Sequence, residues 1–181
     1  MKNFFINDLL PEGFKVLLPE QAHIEENISR SILDLFFQNG YQLVKTPMIE
    51  YEDNISQNTL KSLHNQSFLL MEPETKKILV LRSDITPQVA KLASTKLNHY
   101  PRPIRFAYSG EVIRNSKNHY KSERQFKQIG VELIGGPQDN SMVEILNLAI
   151  SSLSQINIKN ITIDFSLPSI FRLIDKDLKL K

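Results

Sequence analysis

Apolar residues recur at helical spacing between residues 19 and 39, where Ile24, Ile28, Ile32, Leu35 and Phe36 fall on one stripe. Pro19 suits the first turn of that helix and Gly40 its C-terminal cap. A strand is predicted from Tyr41 to Glu50, and Pro47, which has no N–H to give a ladder, puts it at an edge or at the end of its pairing. The stretch SFLLMEPETKKILVLR reads as two strands joined by a turn around Pro73 and Glu74, a β-hairpin. Thr86 and Pro87 read as the N-cap and first residue of a second helix, with Val89, Leu92, Ala93 and Leu97 on its apolar face.

Residues 103–114 alternate through Ile104, Phe106, Tyr108 and Val112, and 124–135 alternate likewise, with a polar loop between them. The expectation is two long antiparallel strands. Ser141 and Glu144 have the spacing of a capping box ahead of Met142, Leu146, Ala149, Ile150 and Leu153, which predicts a third helix. Residues 158–166 read as another strand, and Pro168 as the opening of a short last helix. Together these elements give an α+β fold, a mostly antiparallel sheet with helices against one face, in a single domain over residues 1–181.

Composition narrows the function classes. Of 181 residues, 41% are hydrophobic and 23% charged, as in a globular chain, and no apolar run approaches the length of a bilayer crossing. The N-terminal MKNFFINDLLPEGF has one lysine and a three-residue apolar run before Asn7 and Asp8, so it does not read as a secretory signal, and a cytoplasmic location is expected. The absence of cysteine removes disulfides, thiolate nucleophiles and Cys-ligated metals together. His23, His64, His99 and His119 lack metal-ligand spacing, and no phosphate-binding glycine loop or G-x-S-x-G elbow is present. No catalytic group, metal or cofactor is expected.

The formal charge of +2 is unevenly spread. From Lys91 to Lys127 nine Lys/Arg face two acids, Glu111 and Glu123, a local +7 that leaves −5 for the rest. Such a segment suits phosphates, nucleotides or an acidic partner, or is a plain solvated surface.

A polar constellation sits on otherwise apolar strands. In RQFKQIGVELIG the period of two puts Lys127, Ile129, Val131 and Leu133 on one face and Phe126, Gln128, Gly130, Glu132 and Ile134 on the other. The first face reads as core. On the second, Gln128 and Glu132 require hydrogen-bond partners or a cavity, which makes that face either the floor of a small polar ligand site or a wet surface. As a site, Glu132 suits an ammonium, Gln128 a carboxylate or amide, and Gly130 leaves space. Asp84 and Thr86 lie at a strand-to-helix turn where helix amides converge, and Asp84 equally suits a local cap. Arg114 closes the apolar GEVIRN with a fork suited to carboxylate or phosphate, or to a salt bridge with Glu111 or Glu123.

Taken in order, NDLLPEGF, GYQLVKTPMIE, LRSDITPQVAKLA, IRFAYSGEVIR and RQFKQIGVELIGG resemble the class II histidyl-tRNA synthetase core and, more closely, its non-catalytic relatives, the regulatory subunits of ATP phosphoribosyltransferase. The resemblance covers most of residues 7–165. It implies a partial class II aminoacyl-tRNA synthetase-like core, with GYQLVKTPMIE as the motif 1 region at a homodimer interface and 104–135 as motif 2. By the same resemblance Asp84 and Thr86 match residues that hold a ligand ammonium, Arg114 matches the motif 2 arginine, and Gln128 and Glu132 complete a histidine-like pocket.

The departures separate the two relatives. Where a synthetase reads L-R-P-E-G-T this chain has LRSDIT, with Ser83-Asp84-Ile85 in the middle. The motif 2 F-R-x-E becomes Ile113-Arg114-Asn115-Ser116, and Ser122 replaces a loop arginine that helps bind ATP. Adenylate formation needs that charge stabilisation, so the resemblance implies a regulatory subunit of the first step of histidine biosynthesis. Its implied partner is a short-form ATP phosphoribosyltransferase catalytic subunit, in a hetero-oligomer containing a homodimer of this chain. Histidine is the implied effector, and no membrane or nucleic-acid partner is expected. A divergent or fragmentary histidyl-tRNA synthetase is the alternative reading. Lys181 falls before the family's motif 3 helix, so the domain is expected to be truncated.

Overall fold

A computed structural model describes residues 10–52, 66–115 and 123–165. Helix α1 spans Pro19–Gln38, with Pro19 in its first turn as expected. It ends in a Schellman motif. Gly40 takes φ +82°, its N–H bonds the Phe37 carbonyl at 3.0 Å, and the Tyr41 N–H bonds the Phe36 carbonyl at 3.1 Å. The accompanying apolar contact is the Phe36–Tyr41 ring pair, 6.4 Å between centroids.

The single strand expected from Tyr41 to Glu50 is instead two short ones, β1 (Gln42–Leu43) and β2 (Ile49–Tyr51), in different sheets. Pro47 lies in the break. The predicted hairpin forms from β3 (Phe68–Met71) and β4 (Ile78–Leu81), and β2 pairs on the other side of β4 to give the sheet β2-β4-β3. Helix α2 (Thr86–Ser94) follows, capped one residue earlier than expected: Ile85 is the N-cap, and Asp84 Oδ1 accepts the Thr86 N–H at 3.0 Å.

Strands β5 (Ile104–Ile113) and β6 (Gln125–Ile134) form the predicted long antiparallel pair, in unbroken register from Ile104 opposite Ile134 to Ile113 opposite Gln125. β1 adds to β5 in parallel, giving the sheet β1-β5-β6. The chain is α+β with mostly antiparallel sheets, but helices cover both faces of the long pair rather than one. Ile85, Val89 and Ala93 of the α2 region pack on Ile104, Phe106, Tyr108 and Val112, with Phe126 and Ile134 against that cluster. On the opposite face Phe36 and Tyr41 meet Ala107 and Leu148, with Ile129, Val131 and Leu133 alongside. The two faces of β6 therefore fall as the period of two placed them.

Helix α3 (Gln138–Gln155) starts three residues before the predicted capping box, after Pro137. Ser141 is thus inside the first turn, and Glu144 is drawn away to the sheet. Arg105 donates to both its oxygens, from Nε at 2.7 Å and Nη2 at 2.8 Å, and the Tyr41 hydroxyl donates at 2.8 Å. The Arg105 bond holds the Glu144 carboxyl below the usual carboxylate range, while burial and the Glu144 bond push the Tyr41 phenol up. This pairing orients α3 with Ile145, Leu148 and Ser152 inward, and the predicted face member Met142 is exposed.

The α1 stripe also departs from expectation at its N-terminal half. Ile32, Leu35 and Phe36 pack inward, but Ile24 is 53% exposed and lines, with Leu17, Ile28, Phe126 and Ile129, an open groove of about 460 Å³. No strand forms over 158–165; Asn157 and Asn160 have φ of 63° and 59°, which breaks the extended run at its start. The helix expected at Pro168 lies outside the described residues. These burial differences have a direct test. In urea denaturation Val89→Ala, at a fully buried site, loses about 2 kcal/mol from missing methyls and the cavity left. Ile24→Ala stays within about 0.5 kcal/mol of the parent, as a surface change does.

Candidate ligand-binding site

The turn between β4 and α2 is held by polar side chains. Arg82 Nε donates to the Glu111 carbonyl at 2.7 Å and Nη1 to the Thr46 carbonyl at 2.9 Å, with burial lowering its pKa. A Cβ at Gly110 would overlap Arg82 Nη2, so a side chain there would displace the guanidinium from its present position. Gln88 accepts from the Thr46 hydroxyl at 2.6 Å and donates to the Pro47 carbonyl at 3.0 Å, which ties α2 to the break between β1 and β2. Ser83 is buried, bonded to Ser67 at 3.1 Å.

This framework sets the start of α2 over the even-numbered face of β5 and β6. There the five predicted residues come together. Asp84 Oδ1 accepts both the Thr86 N–H and, at 2.9 Å, Nε2 of Gln128. Gln128 Oε1 in turn accepts the Ile85 N–H at 2.9 Å. Both ends of the Gln128 amide are thus engaged in bracing the turn, and Asp84 serves as a local cap and as a partner of β6 at once. Arg114 Nε donates to the Ser83 carbonyl at 3.0 Å, and its guanidinium lies over the Phe126 ring, 5.0 Å from the centroid. Neither carboxylate considered for it is its partner: Glu123 pairs with Lys15 at 2.6 Å, and Glu111 receives Gln125.

Glu132 is half-buried on this face, and the Tyr108 hydroxyl, 3.4 Å from Oε1, is its hydrogen-bond donor. Burial raises its pKa above the ordinary carboxylate value, Asp84 adds to that, and the Thr86 and Tyr108 hydroxyls oppose it. Tyr108, which the strand alternation marks only as an apolar position, completes the site. Its hydroxyl is 3.0 Å from Thr86 Oγ1, and burial pushes its pKa up to about 12. The space beside Gly130 is filled by this tyrosine, since a Cβ there would lie 2.5 Å from its hydroxyl. Arg82 and Gln88 also escape the strand and helix periodicities; a charged residue closing an apolar strand was the available signal. Among the described residues no group of three or more His, Asp or Glu could hold a metal ion.

The site is a half-buried polar cluster with two carboxylates, two hydroxyls and an amide, in which the carboxylates are the groups that could take a ligand ammonium. The family model for histidyl-tRNA synthetase matches residues 13–181. The chain belongs to the histidyl-tRNA synthetase family. It is 38% identical over 172 residues to the ATP phosphoribosyltransferase regulatory subunit of Rhodospirillum centenum, covering 95% of this chain and 45% of that one. A solved ATP phosphoribosyltransferase regulatory subunit/histidyl-tRNA synthetase from Bacillus halodurans C matches with a TM-score of 0.72 and 30% identity, over 86% of this chain and 39% of that one. Apo S. aureus histidyl-tRNA synthetase, at 24% identity over 83% of this chain and 35% of its own, shares the fold with a TM-score of 0.67. The chain thus spans less than half the length of these relatives.

For this member of the histidyl-tRNA synthetase family, the raised Glu132 value makes a stability test. A carboxyl whose folded pKa lies above its unfolded one costs stability while charged, and the cost fades as pH falls through the folded value. Glu132→Gln is therefore expected to melt at or above the parent's temperature at pH 7.5, with any advantage shrinking toward pH 5. Unfolding of the variant would show Glu132 to be a structural carboxylate instead.

Proposed function

We propose that this chain is part of a non-catalytic regulatory subunit of ATP phosphoribosyltransferase, acting in the first step of histidine biosynthesis. The observation that carries the reading is the name of its relative at 38% identity, whose match runs along 95% of this chain. The pocket supports it: Asp84, Thr86 and Glu132 retain groups for an amino-acid ammonium, while LRSDIT lacks the synthetase's Pro-Glu-Gly. Ser116 and Ser122, where a synthetase would place charged ATP contacts, lie outside the described residues, so that part of the argument is one of sequence.

In this reading the partner is a short-form catalytic subunit, the assembly is a hetero-oligomer containing a homodimer of this chain, and histidine is the effector. Control works by thermodynamic coupling: histidine binds one quaternary state better and shifts the population toward it. Exposed apolar side chains on the small sheet, Ile49, Leu69, Leu70 and Met71, support an assembly that covers them. No helix among the described residues is long and apolar enough to cross a membrane, and the proposed site of action is the cytoplasm.

The deciding experiment mixes this chain with the short catalytic subunit of its own organism and measures ATP phosphoribosyltransferase turnover with and without histidine. Stimulated turnover that histidine suppresses is expected; turnover indifferent to the added chain overturns the reading. The chain alone is expected to show no histidine-dependent pyrophosphate exchange, and clear exchange above a no-enzyme blank restores the synthetase alternative. Sedimentation at a concentration on the order of tens of micromolar, a working range for weak dimers, is expected to show at least a dimer.

A further inference from the structure

Tyr108 has a geometry that packing alone does not require. It is 5% exposed, and its ring lies across Gly130 on the paired strand, where a Cβ would come within 2.6 Å of the phenol Cζ. Only a bare position lets the ring cross and bring its hydroxyl to Thr86 at 3.0 Å and Glu132 at 3.4 Å. Side chains from α2, β5 and β6 therefore meet at the Tyr108 hydroxyl, which accepts from Thr86 and donates to Glu132.

The charged neighbours are few. Asp84 approaches from the start of α2 and Glu132 from β6, while Arg82 is engaged by Glu111 and Thr46 carbonyls and Arg114 lies over Phe126. Asp84 is the charged group that acts on Glu132.

We propose that Tyr108 is a positioning residue of this pocket: its hydroxyl holds Thr86 and Glu132 at a fixed spacing, so that Glu132 is presented to the cationic group of a bound amino acid. The proposal rests on the amino-acid-binding role put forward above. Without the hydroxyl, Thr86 loses its partner, the carboxylate loses its donor, and its proton is held to a higher pH. The ring itself stays over Gly130, so the packing is preserved.

The test compares the parent chain with Tyr108→Phe by calorimetric titration with L-histidine from pH 5.5 to 8.5. Alongside it run melting curves and NMR of the Glu132 side-chain carboxyl carbon without ligand. The variant is expected to bind about tenfold more weakly near neutral pH, the scale of one hydrogen bond to a charged group. Its affinity profile and its Glu132 titration midpoint both move to higher pH, with the melting temperature held. A variant with parental affinity and an unmoved profile overturns the proposal. So does weaker binding that comes with a lowered melting temperature and an unmoved Glu132 midpoint, which would make Tyr108 a packing residue only. If the parent binds no histidine, the histidine reading fails by itself, and the ligand-free Glu132 midpoint still decides for or against Tyr108.

Discussion

The unbroken register between β5 and β6 is the constraint on which the rest of the molecule depends. Along both strands successive side chains turn to opposite faces, so a single pairing decision distributes every residue of Ile104–Ile113 and Gln125–Ile134 between two environments. Odd positions of this pair, Ala107, Ile129, Val131 and Leu133, meet α1 and α3; even positions meet α2. A slip by one residue would carry Glu132 and Gln128 into the Phe36–Leu148 cluster and Val131 out of it. Burial of two apolar faces at once excludes that alternative, and the pocket inherits its geometry from the exclusion.

The ladder supplies the floor of the pocket but not its wall. The wall is the start of α2, and it is set by hydrogen bonds to side chains rather than by apolar area. Arg82 reaches carbonyls on β5 and on the connection after β1; Gln88 grips that same connection; Gln128 reaches up from β6 to the Asp84–Ile85 turn. Each such bond contributes on the order of 1 kcal/mol net, while leaving one buried partner unpaired costs about 1–3 kcal/mol. The framework therefore adds modest stability and strong geometric selection, which is the balance a site for a small polar ligand needs. Among the described residues no buried side-chain polar atom lacks a partner, so the selection is complete within this framework.

What could be read from the sequence follows from how repetitive each signal is. The long pair and its faces were legible because a period of two persists through ten residues of each strand. The candidate pocket was legible because Gln128 and Glu132 interrupt one face of that period. Helix α3 shows the opposite case. Apolar residues Met142, Val143, Ile145, Leu146 and Leu148 surround much of its circumference, so the stripe through Met142 was one of several available, and the Arg105–Glu144 pair turns Ile145 and Leu148 inward instead. The capping box failed for the same reason, since its glutamate had a stronger use elsewhere. Tyr108 was hidden by its chemistry: its ring satisfies an apolar pattern, and only the tertiary approach to Gly130 reveals what its hydroxyl does. The Tyr41–Glu50 strand split at Pro47, the local signal for an end of pairing, while the capture of the Thr46 and Pro47 carbonyls by Arg82 and Gln88 is tertiary and has no local signal.

The same alternation resolves the basic segment. Nine cations between Lys91 and Lys127 look like one patch in the sequence, yet the fold disperses those that it describes. Arg105 and Lys127 go to the α1/α3 face, where they meet Glu144 and the Glu25–Glu26 pair. Lys91 reaches Glu50, and Arg102 donates to the Ala93 carbonyl at the end of α2. Arg124 stacks on Phe68, 4.4 Å from the ring centroid, and bonds Asn115. Among the described cations Lys91, Arg105 and Lys127 meet carboxylates, while Arg102, Arg114 and Arg124 are held by uncharged oxygens and aromatic rings, so they are engaged on different faces rather than as one patch. The pocket between them has the opposite local character, because Asp84 and Glu132 sit in it with hydroxyl and amide donors. Local placement, rather than the summed charge of the segment, decides what each face presents, and on the α2 face that is two carboxylates among hydroxyl and amide groups.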